Sequence, residues 1–206
     1  MPLPNQIAPH AVRETCIRLI ETERLLLRAP RTEDAKTIAI LANDRRIAEN
    51  TLRIPHPYGI ADAQRFITGT NAGSGETVFL IVRRDATVLG ACGLAKRAPE
   101  SAELGYWLAF AFWGNGYATE AAGAVIDYAF EDLGYEMLHA GARVSNLASR
   151  RVLEKCGFEW TGVELHRIRS LASSAPFDRF RLGRSQWATA PTAARERAVS
   201  HLKIGT

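Results

Sequence analysis

Residues 113–121 (WGNGYATEA) constrain the fold of this chain more than any other segment. They follow an apolar, aromatic run at 104–113 and lead into a stretch with helical apolar spacing at 118–133. The glycines at 114 and 116 permit backbone conformations closed to other residues and a close approach to a ligand. A strand that turns through glycines into a helix directs free N–H groups and the positive end of the helix dipole at one place. The sequence therefore predicts an anion site, most naturally for phosphate.

Two common phosphate-binding motifs do not fit this segment. A P-loop needs a GxxxxGK[ST] pattern, and no lysine follows these glycines. A dinucleotide-binding fingerprint needs a third glycine where this chain has Thr119, and an acidic residue about 20 positions further on. It also expects its first strand near the start of a parallel set, whereas this loop follows predicted hairpins. The phosphate belongs to some other kind of ligand.

The order of apolar patterns predicts a single α/β (α+β) domain with a mixed sheet. Two β-rich runs, 78–83 and 87–95, are joined by a short turn and predict an antiparallel hairpin. The other predicted strands are 22–29, 102–108, 137–144, 158–164 and 177–182, and the predicted helices are 32–43, 61–69, 118–133 and 147–155. We expect the domain to occupy residues 21–187, with an N-terminal arm (1–20) and a C-terminal extension (188–206).

The charge of the chain is unevenly distributed. Residues 143–206 carry 12 basic and 5 acidic side chains, a net +7, whereas residues 1–142 carry 14 and 17, a net −3. This excess could serve a ribosome or nucleic-acid surface, or surround a polyanionic cofactor with Arg143, Arg150, Arg151 and Lys155. Because the arginines are not interleaved with aromatic side chains as in single-strand binders, nucleic acid is not the expected partner.

The sequence has no features typical of a membrane-spanning, secreted or metal-binding protein. No apolar run approaches the roughly 18–20 residues that span a bilayer, and the N-terminus does not resemble a signal peptide. The three cysteines, Cys16, Cys92 and Cys156, have no metal-ligand spacing. We therefore expect a cytoplasmic protein with free thiols, no metal site and no membrane partner.

Five segments in order resemble the GNAT acetyltransferase superfamily, specifically its RimJ/RimL-type branch. They are TERLLLR (22–28), IPHPY (54–58) with Ala63, Phe66 and Ile67 downstream, ELGYWL (103–108), WGNGYATEA (113–121) and NLASRRVLEKCGF (146–158). The resemblance extends from about residue 22 to 187. It implies a GNAT-like fold, with a mostly antiparallel, V-split sheet of about six or seven strands flanked by helices.

The resemblance also implies acetyl-CoA as co-substrate. Its pyrophosphate would bind the backbone N–H groups of Gly114, Asn115, Gly116, Tyr117, Ala118 and Thr119. The strand residues Tyr106, Trp107 and Leu108 would offer main-chain groups to the pantetheine amides, as a strand edge does to a peptide. Asn146 is a predicted N-cap of the second helix, and in the family it also reaches the pantetheine arm.

The implied chemistry is attack by a neutral amine on a thioester carbonyl, which needs a base, an oxyanion site and a proton for the leaving thiolate. Glu103 is the expected base, since it lies on the strand facing the thioester and an apolar surround would make its carboxylate more basic. Many GNAT enzymes have a tyrosine where this chain has Leu153, so Ser149 is the expected partner of the leaving sulfur. Some relatives also keep an acid where this chain has Gly141. Cys156 is expected to pack, because direct transfer needs no nucleophile.

The acceptor stays open between a protein N-terminal amine and a small amine such as an amino acid or aminoglycoside. The loops at 44–70 and the strand pair after Gly157 are expected to select it. The arm (1–20) could cover the site or contribute to a homodimer. Two alternatives belong to other classes: a catalytically silent acyl-CoA-binding module, suggested by the missing tyrosine, and a ribosome- or RNA-associated factor that uses the basic C-terminal third.

Overall fold

The computed structural model describes residues 19–71 and 75–189, so most of the proposed arm and C-terminal extension lie outside the described residues. The strands are β1 (Leu19–Glu21), β2 (Leu25–Arg28), β3 (Glu76–Arg83), β4 (Val88–Ala98), β5 (Ser101–Leu108), β6 (Met137–Arg143), β7 (Glu159–Ile168) and β8 (Ser173–Gly183). The helices are α1 (Ala35–Ala42), α2 (Arg45–Ala48), α3 (Ile60–Asn71), α4 (Tyr117–Glu131), α5 (Leu147–Lys155) and α6 (Arg184–Thr189).

The strands form one mixed sheet in the order β1-β2-β3-β4-β5-β6-β8-β7, which confirms the predicted α/β class. Every neighbouring pair is antiparallel except β5 and β6, which are parallel. The sheet has eight strands rather than the expected six or seven. The additional strand is β1, whose three residues are too few to show an alternating pattern in the sequence.

The sheet divides between β5 and β6. Their pairing runs only from Ser101 with Met137 to Leu104 with Ala140. Beyond it, residues 105–108 and 141–143 pair with their outer neighbours β4 and β8 but not with each other. The expected V-shaped split is therefore present, and it leaves one edge of β5 free to bind a ligand.

The two faces of the sheet are covered differently. One face packs on α4 and α5 around buried residues such as Leu25, Leu27 and Phe130. The other face packs on α1 and α3, and this contact lies over β3 and β4. The same face of the sheet carries Glu103 on β5 and Arg179 on β8.

The strand predicted over 137–144 ends one residue earlier, since β6 stops at Arg143 and Val144 is 38% exposed. Among the described residues, no helix combines the length and apolarity needed to cross a membrane.

Candidate active site

The glycine turn has the geometry that the sequence predicted. Gly114 and Gly116 have φ angles of 78° and 79°, in the left-handed region that favours glycine. The helix α4 begins immediately afterwards, at Tyr117, and Gly116 has no side chain with which to cap it. The first N–H groups of α4 are therefore available to an anion, at the positive end of a 15-residue helix.

An ion-pair clamp fixes this turn against the start of β2. The Arg24 side chain donates from Nε to Glu120 Oε2 at 2.7 Å and from Nη1 to the Asn115 carbonyl at 3.1 Å. The Thr22 hydroxyl donates to Glu120 Oε1 at 2.6 Å, and the Arg24 guanidinium lies 4.7 Å from the centre of the Tyr117 ring. The clamp thus joins the first and fourth resembling segments in the folded chain. Arg24 was assigned no role from the sequence, although it lies in the first of the resembling segments.

Ser149 lies at the start of α5 and is held by two side chains. Its N–H donates to Asn146 Oδ1 at 3.1 Å, the capping bond predicted for Asn146. Its hydroxyl lies 2.8 Å from the Tyr106 hydroxyl, which also donates to the Ser149 carbonyl at 3.1 Å. Burial raises the pKa of Tyr106 well above its usual range, although the Ser149 contact partly opposes the shift. The Tyr106 side chain therefore contacts Ser149 in addition to packing against the core.

Glu103 lies among guanidinium groups and not in the apolar surround that was expected. Arg179 Nη1 donates to Glu103 Oε1 at 2.9 Å, and Arg97 Nε lies 3.7 Å from Oε2. Arg179 is buried and reaches Glu103 across Gly141, where a Cβ would lie 2.6 Å from Arg179 Nη1. Burial, followed by the charges of Arg97 and Arg179, lowers the pKa of the neighbouring His139.

A continuous cleft of about 1110 Å³ brings most of the expected site residues together. It is lined by Glu103, Tyr106, Trp107, Leu108, Gly114, Gly116, Tyr117, Ala118, Thr119, Asn146 and Ser149. Asn115 is not in this lining, because its side chain turns back to the carbonyls of Phe112 and Trp113 at 3.3 and 3.0 Å. The cleft thus joins the divided strands to the first turns of α4 and α5.

Of the four basic residues that the sequence offered as surroundings for a polyanionic cofactor, two line the cleft and two do not. Arg151 and Lys155 line the cleft. Arg150 instead pairs with Glu154 at 2.9 Å and Asp178 at 3.4 Å, and Arg143 donates to the Glu49 carbonyl at 3.2 Å. Of these four residues, only the two on one face of α5, Arg151 and Lys155, contribute positive charge to the cleft lining.

Of the two described cysteines, Cys92 lies in the lining of the cleft and Cys156 does not. Cys92 and Cys156 are free thiols. Burial raises the pKa of Cys156 to about 12, so its thiol is protonated at neutral pH. No group of three or more His, Cys, Asp or Glu side chains that could hold a metal ion occurs in the part of the chain that the structure describes.

Comparison with known proteins agrees with this geometry. The family model for the acetyltransferase (GNAT) domain matches residues 24–159. The uncharacterized N-acetyltransferase p20 of Bacillus licheniformis is 30% identical over 148 residues, which cover 69% of this chain and 83% of p20. The chain therefore belongs to the GNAT family and is an N-acetyltransferase.

Solved structures place the fold within this family. RimJ of Mycobacterium smegmatis, solved with CoA-disulfide, superposes with a TM-score of 0.74 at 21% identity, covering 87% of this chain and 92% of RimJ. Spermidine N-acetyltransferase of Vibrio cholerae, solved with CoA and spermine, superposes with a TM-score of 0.70 at 22% identity, covering 80% and 98%. Both structures share the fold of this chain, and at these identities the likeness shows the fold alone.

Proposed function

We propose that this chain transfers the acetyl group of acetyl-CoA to a primary amine by direct attack, with donor and acceptor bound together in the cleft. The observation that carries the proposal is the continuity of the cleft. One cavity connects the uncapped start of α4, the free edge of β5, Ser149 and Glu103. A donor that enters from the α4 side and an acceptor that enters from the α1–α3 side would meet between β5 and β6.

The residues present fit coenzyme A as the donor. Its pyrophosphate would accept hydrogen bonds from the N–H groups of Tyr117, Ala118 and Thr119, next to the side chains of Arg151 and Lys155. The pantetheine amides would pair with the main chain of residues 105–108, which the split leaves unpaired on the β6 side.

Glu103 and Ser149 then act on the two sides of the reacting carbonyl. Glu103, oriented by Arg179, accepts the proton of the incoming ammonium directly or through a water molecule. The amine forms the C–N bond, and main-chain N–H groups of β5 stabilise the charge on the carbonyl oxygen. The C–S bond breaks, and Ser149 donates a hydrogen bond to the leaving sulfur. The thiolate takes up the proton that the new amide nitrogen loses, and coenzyme A leaves as the free thiol. No covalent enzyme intermediate is needed, in keeping with the protonated Cys156 thiol.

A thiol-release assay tests this proposal. The full chain is incubated with acetyl-CoA and a set of peptides and small amines, and free coenzyme A is measured with a thiol reagent. We expect amine-dependent release, with Glu103→Gln lowering kcat by roughly 100-fold because general-base catalysis contributes about that much. Glu131→Gln is the matched control, since Glu131 is exposed on α4 and lies outside the cleft lining. Coenzyme A binding without release for any amine contradicts the proposal.

The acceptor amine is a protein N-terminus or a small molecule in this proposal. Both have the neutral nucleophile that the reaction needs. The spermidine enzyme of Vibrio cholerae has a fold similar to that of this chain, but the residues on the acceptor side of the cleft decide what this chain accepts.

A further inference from the structure

We propose that the acceptor is a monoamine whose amine is attached to an apolar body, and that Arg53 and Arg65 exclude polyamines from the site. This inference rests on the proposed function and specifies its acceptor. It follows from two properties of the acceptor end of the cleft, the apolar character of its walls and the pairing of its carboxylates.

The walls of the acceptor end are mainly apolar. They are formed by α1–α3 with their connecting loops and by the β7–β8 hairpin, and they include Ile47, Leu52, Ile54, Tyr58, Phe66 and Phe177. Ile47, Tyr58 and Phe177 are buried even without a ligand. Burial of an apolar group here would make the free energy of binding more favourable. Additional ammonium groups would instead lose their hydration and find no partners to replace it.

This end of the cleft is held in place before any substrate binds. The Ser170 hydroxyl donates to the Ala48 carbonyl at 2.9 Å, and the Arg169 N–H donates to the Leu52 carbonyl at 3.2 Å. The Tyr58 N–H donates to Asn43 Oδ1 at 2.9 Å. The first two bonds connect the end of α2 and the loop after it to the β7–β8 hairpin, and the third connects the segment before α3 to the end of α1. The apolar walls therefore do not need to assemble around the acceptor.

Each carboxylate that lines the cleft within the described residues forms an ion pair with an arginine. Glu103 pairs with Arg179 at 2.9 Å, as described above. Asp62 pairs with Arg65 at 2.5 Å, and Glu76 pairs with Arg53.

In the last two pairs the carboxylate faces inward and the guanidinium lies at the rim. The side chains of Asp62 and Glu76 are 20% and 27% exposed, whereas those of Arg65 and Arg53 are 67% and 75% exposed. Arg169 adds a further positive charge to the lining. A polyamine needs several carboxylates that are not already neutralised, and a positive rim opposes its approach. Arg53 and Arg65 are therefore the specificity-determining residues against polycations.

The first experiment compares acceptors on the full chain. Values of kcat/KM for transfer from acetyl-CoA are measured with 2-phenylethylamine, with spermidine and with a short peptide that begins with phenylalanine. We expect the better of the two apolar acceptors to exceed spermidine by at least about 10-fold, the discrimination that one apolar group can supply. The amine and the peptide distinguish a small-molecule source of the apolar amine from a protein N-terminus. Equal or faster transfer to spermidine overturns the inference.

The second experiment removes the rim charges. Arg53→Met and Arg65→Met each leave an inward carboxylate without its arginine partner. Each variant is expected to raise the ratio of kcat/KM for spermidine to kcat/KM for 2-phenylethylamine about fivefold, because exposed charge pairs are of modest strength. The increase should diminish at high salt, because screening weakens exposed charge interactions. Arg45→Met is the matched control. Arg45 is 74% exposed and pairs with Glu49, but lies outside the cleft lining, so the ratio should not change.

Failure of the inference and failure of the proposed function give different results. Amine-dependent release that prefers spermidine rejects only the inference. If no amine is acetylated, the proposed function fails, and calorimetry of 2-phenylethylamine and spermidine with the coenzyme A-loaded protein decides the inference. Tighter binding of spermidine, or an unchanged ratio in both rim variants, rejects it.

Discussion

Ser149 shows how single residues define this site. Its hydroxyl lies next to that of Tyr106, and burial keeps this phenol protonated. The Ser149 N–H donates to the side chain of Asn146, which caps α5. Leu153, the α5 position where the resemblance would have placed a tyrosine, is buried in the core, whereas the phenol that reaches Ser149 is that of Tyr106 on β5. In the proposed mechanism the two hydroxyls act as one unit, in which Tyr106 positions Ser149 toward the leaving sulfur.

Tyr106→Phe tests this unit. We expect kcat to fall by roughly 10-fold with little change in KM for acetyl-CoA, because the hydroxyl positions Ser149 and does not bind the donor. The double variant Tyr106→Phe/Ser149→Ala should be no slower than Ser149→Ala, since residues that act together are not additive. Steady-state kinetics of the three variants provide the measurement. Additive losses would contradict a shared role.

Gly141 matters because of one side chain that crosses it. The closest atoms to an added Cβ would be those at the end of the Arg179 side chain, which can move, whereas at Gly90 it would lie 2.0 Å from the Trp107 backbone oxygen. We therefore expect Gly141→Ala to reduce activity more than stability, because the Glu103–Arg179 pair is displaced. Gly90→Ala should destabilise the protein by about 3 kcal/mol or more, the upper end of the cost of overpacking. Thermal unfolding and kcat/KM of both variants distinguish the two effects.

At the scale of elements, α4 begins at the phosphate end of the cleft and packs against β2, β4 and β5. Its first turn carries Glu120, a carboxylate close to the expected anion site that would repel a pyrophosphate if it were not paired. Arg24 compensates that charge and also holds the turn through the Asn115 carbonyl. The β1–β2 connection thus shapes a binding site to which it contributes no lining residue.

Arg24→Met should therefore weaken coenzyme A binding. We expect the dissociation constant to rise about 10-fold, because the Glu120 charge is no longer compensated and the loop is less fixed. Adding Glu120→Gln should recover part of the loss by removing that charge. Isothermal titration calorimetry with coenzyme A measures both variants. An unchanged affinity in Arg24→Met would show that the turn is ordered without the clamp.

At the scale of the whole molecule, the fold redistributes an uneven charge. The C-terminal third is strongly basic in sequence, yet Arg179 pairs with Glu103 and Arg184 pairs with Glu136 from earlier segments. Arg151 and Lys155 remain directed at the cleft. The basic excess is therefore partly neutralised within the domain and partly placed where a polyanionic donor would bind.

The salt dependence of donor binding tests this distribution. Arg151→Met/Lys155→Met should weaken coenzyme A binding and flatten its dependence on ionic strength, because two cations near the phosphates are lost. Arg150→Met is the matched control, since Arg150 pairs with Glu154 and Asp178 and does not line the cleft. RNA binding that persists in excess acetyl-CoA would instead favour a nucleic-acid role for the basic third.

The sequence by itself determined the class of fold, most element boundaries and the glycine turn. These features depend on neighbours close in the chain: α5 was predicted as 147–155 and is Leu147–Lys155. Its apolar spacing, its Asn146 cap and the following Gly157, with a φ of 87°, are all local signals. The resemblance of five segments added the family, which the comparisons confirm.

Only the tertiary structure decided what surrounds each side chain of the site. Arg24 meets Glu120 across 96 residues, Arg179 meets Glu103 across 76, and Tyr106 meets Ser149 across 43. Periodicity and spacing report which face of its own element a residue occupies, but not which distant side chain faces it. For that reason the sequence placed Glu103 on the correct strand and assigned it the wrong surroundings. The same reason explains why the pairing of the cleft carboxylates could be recognised only in the folded chain.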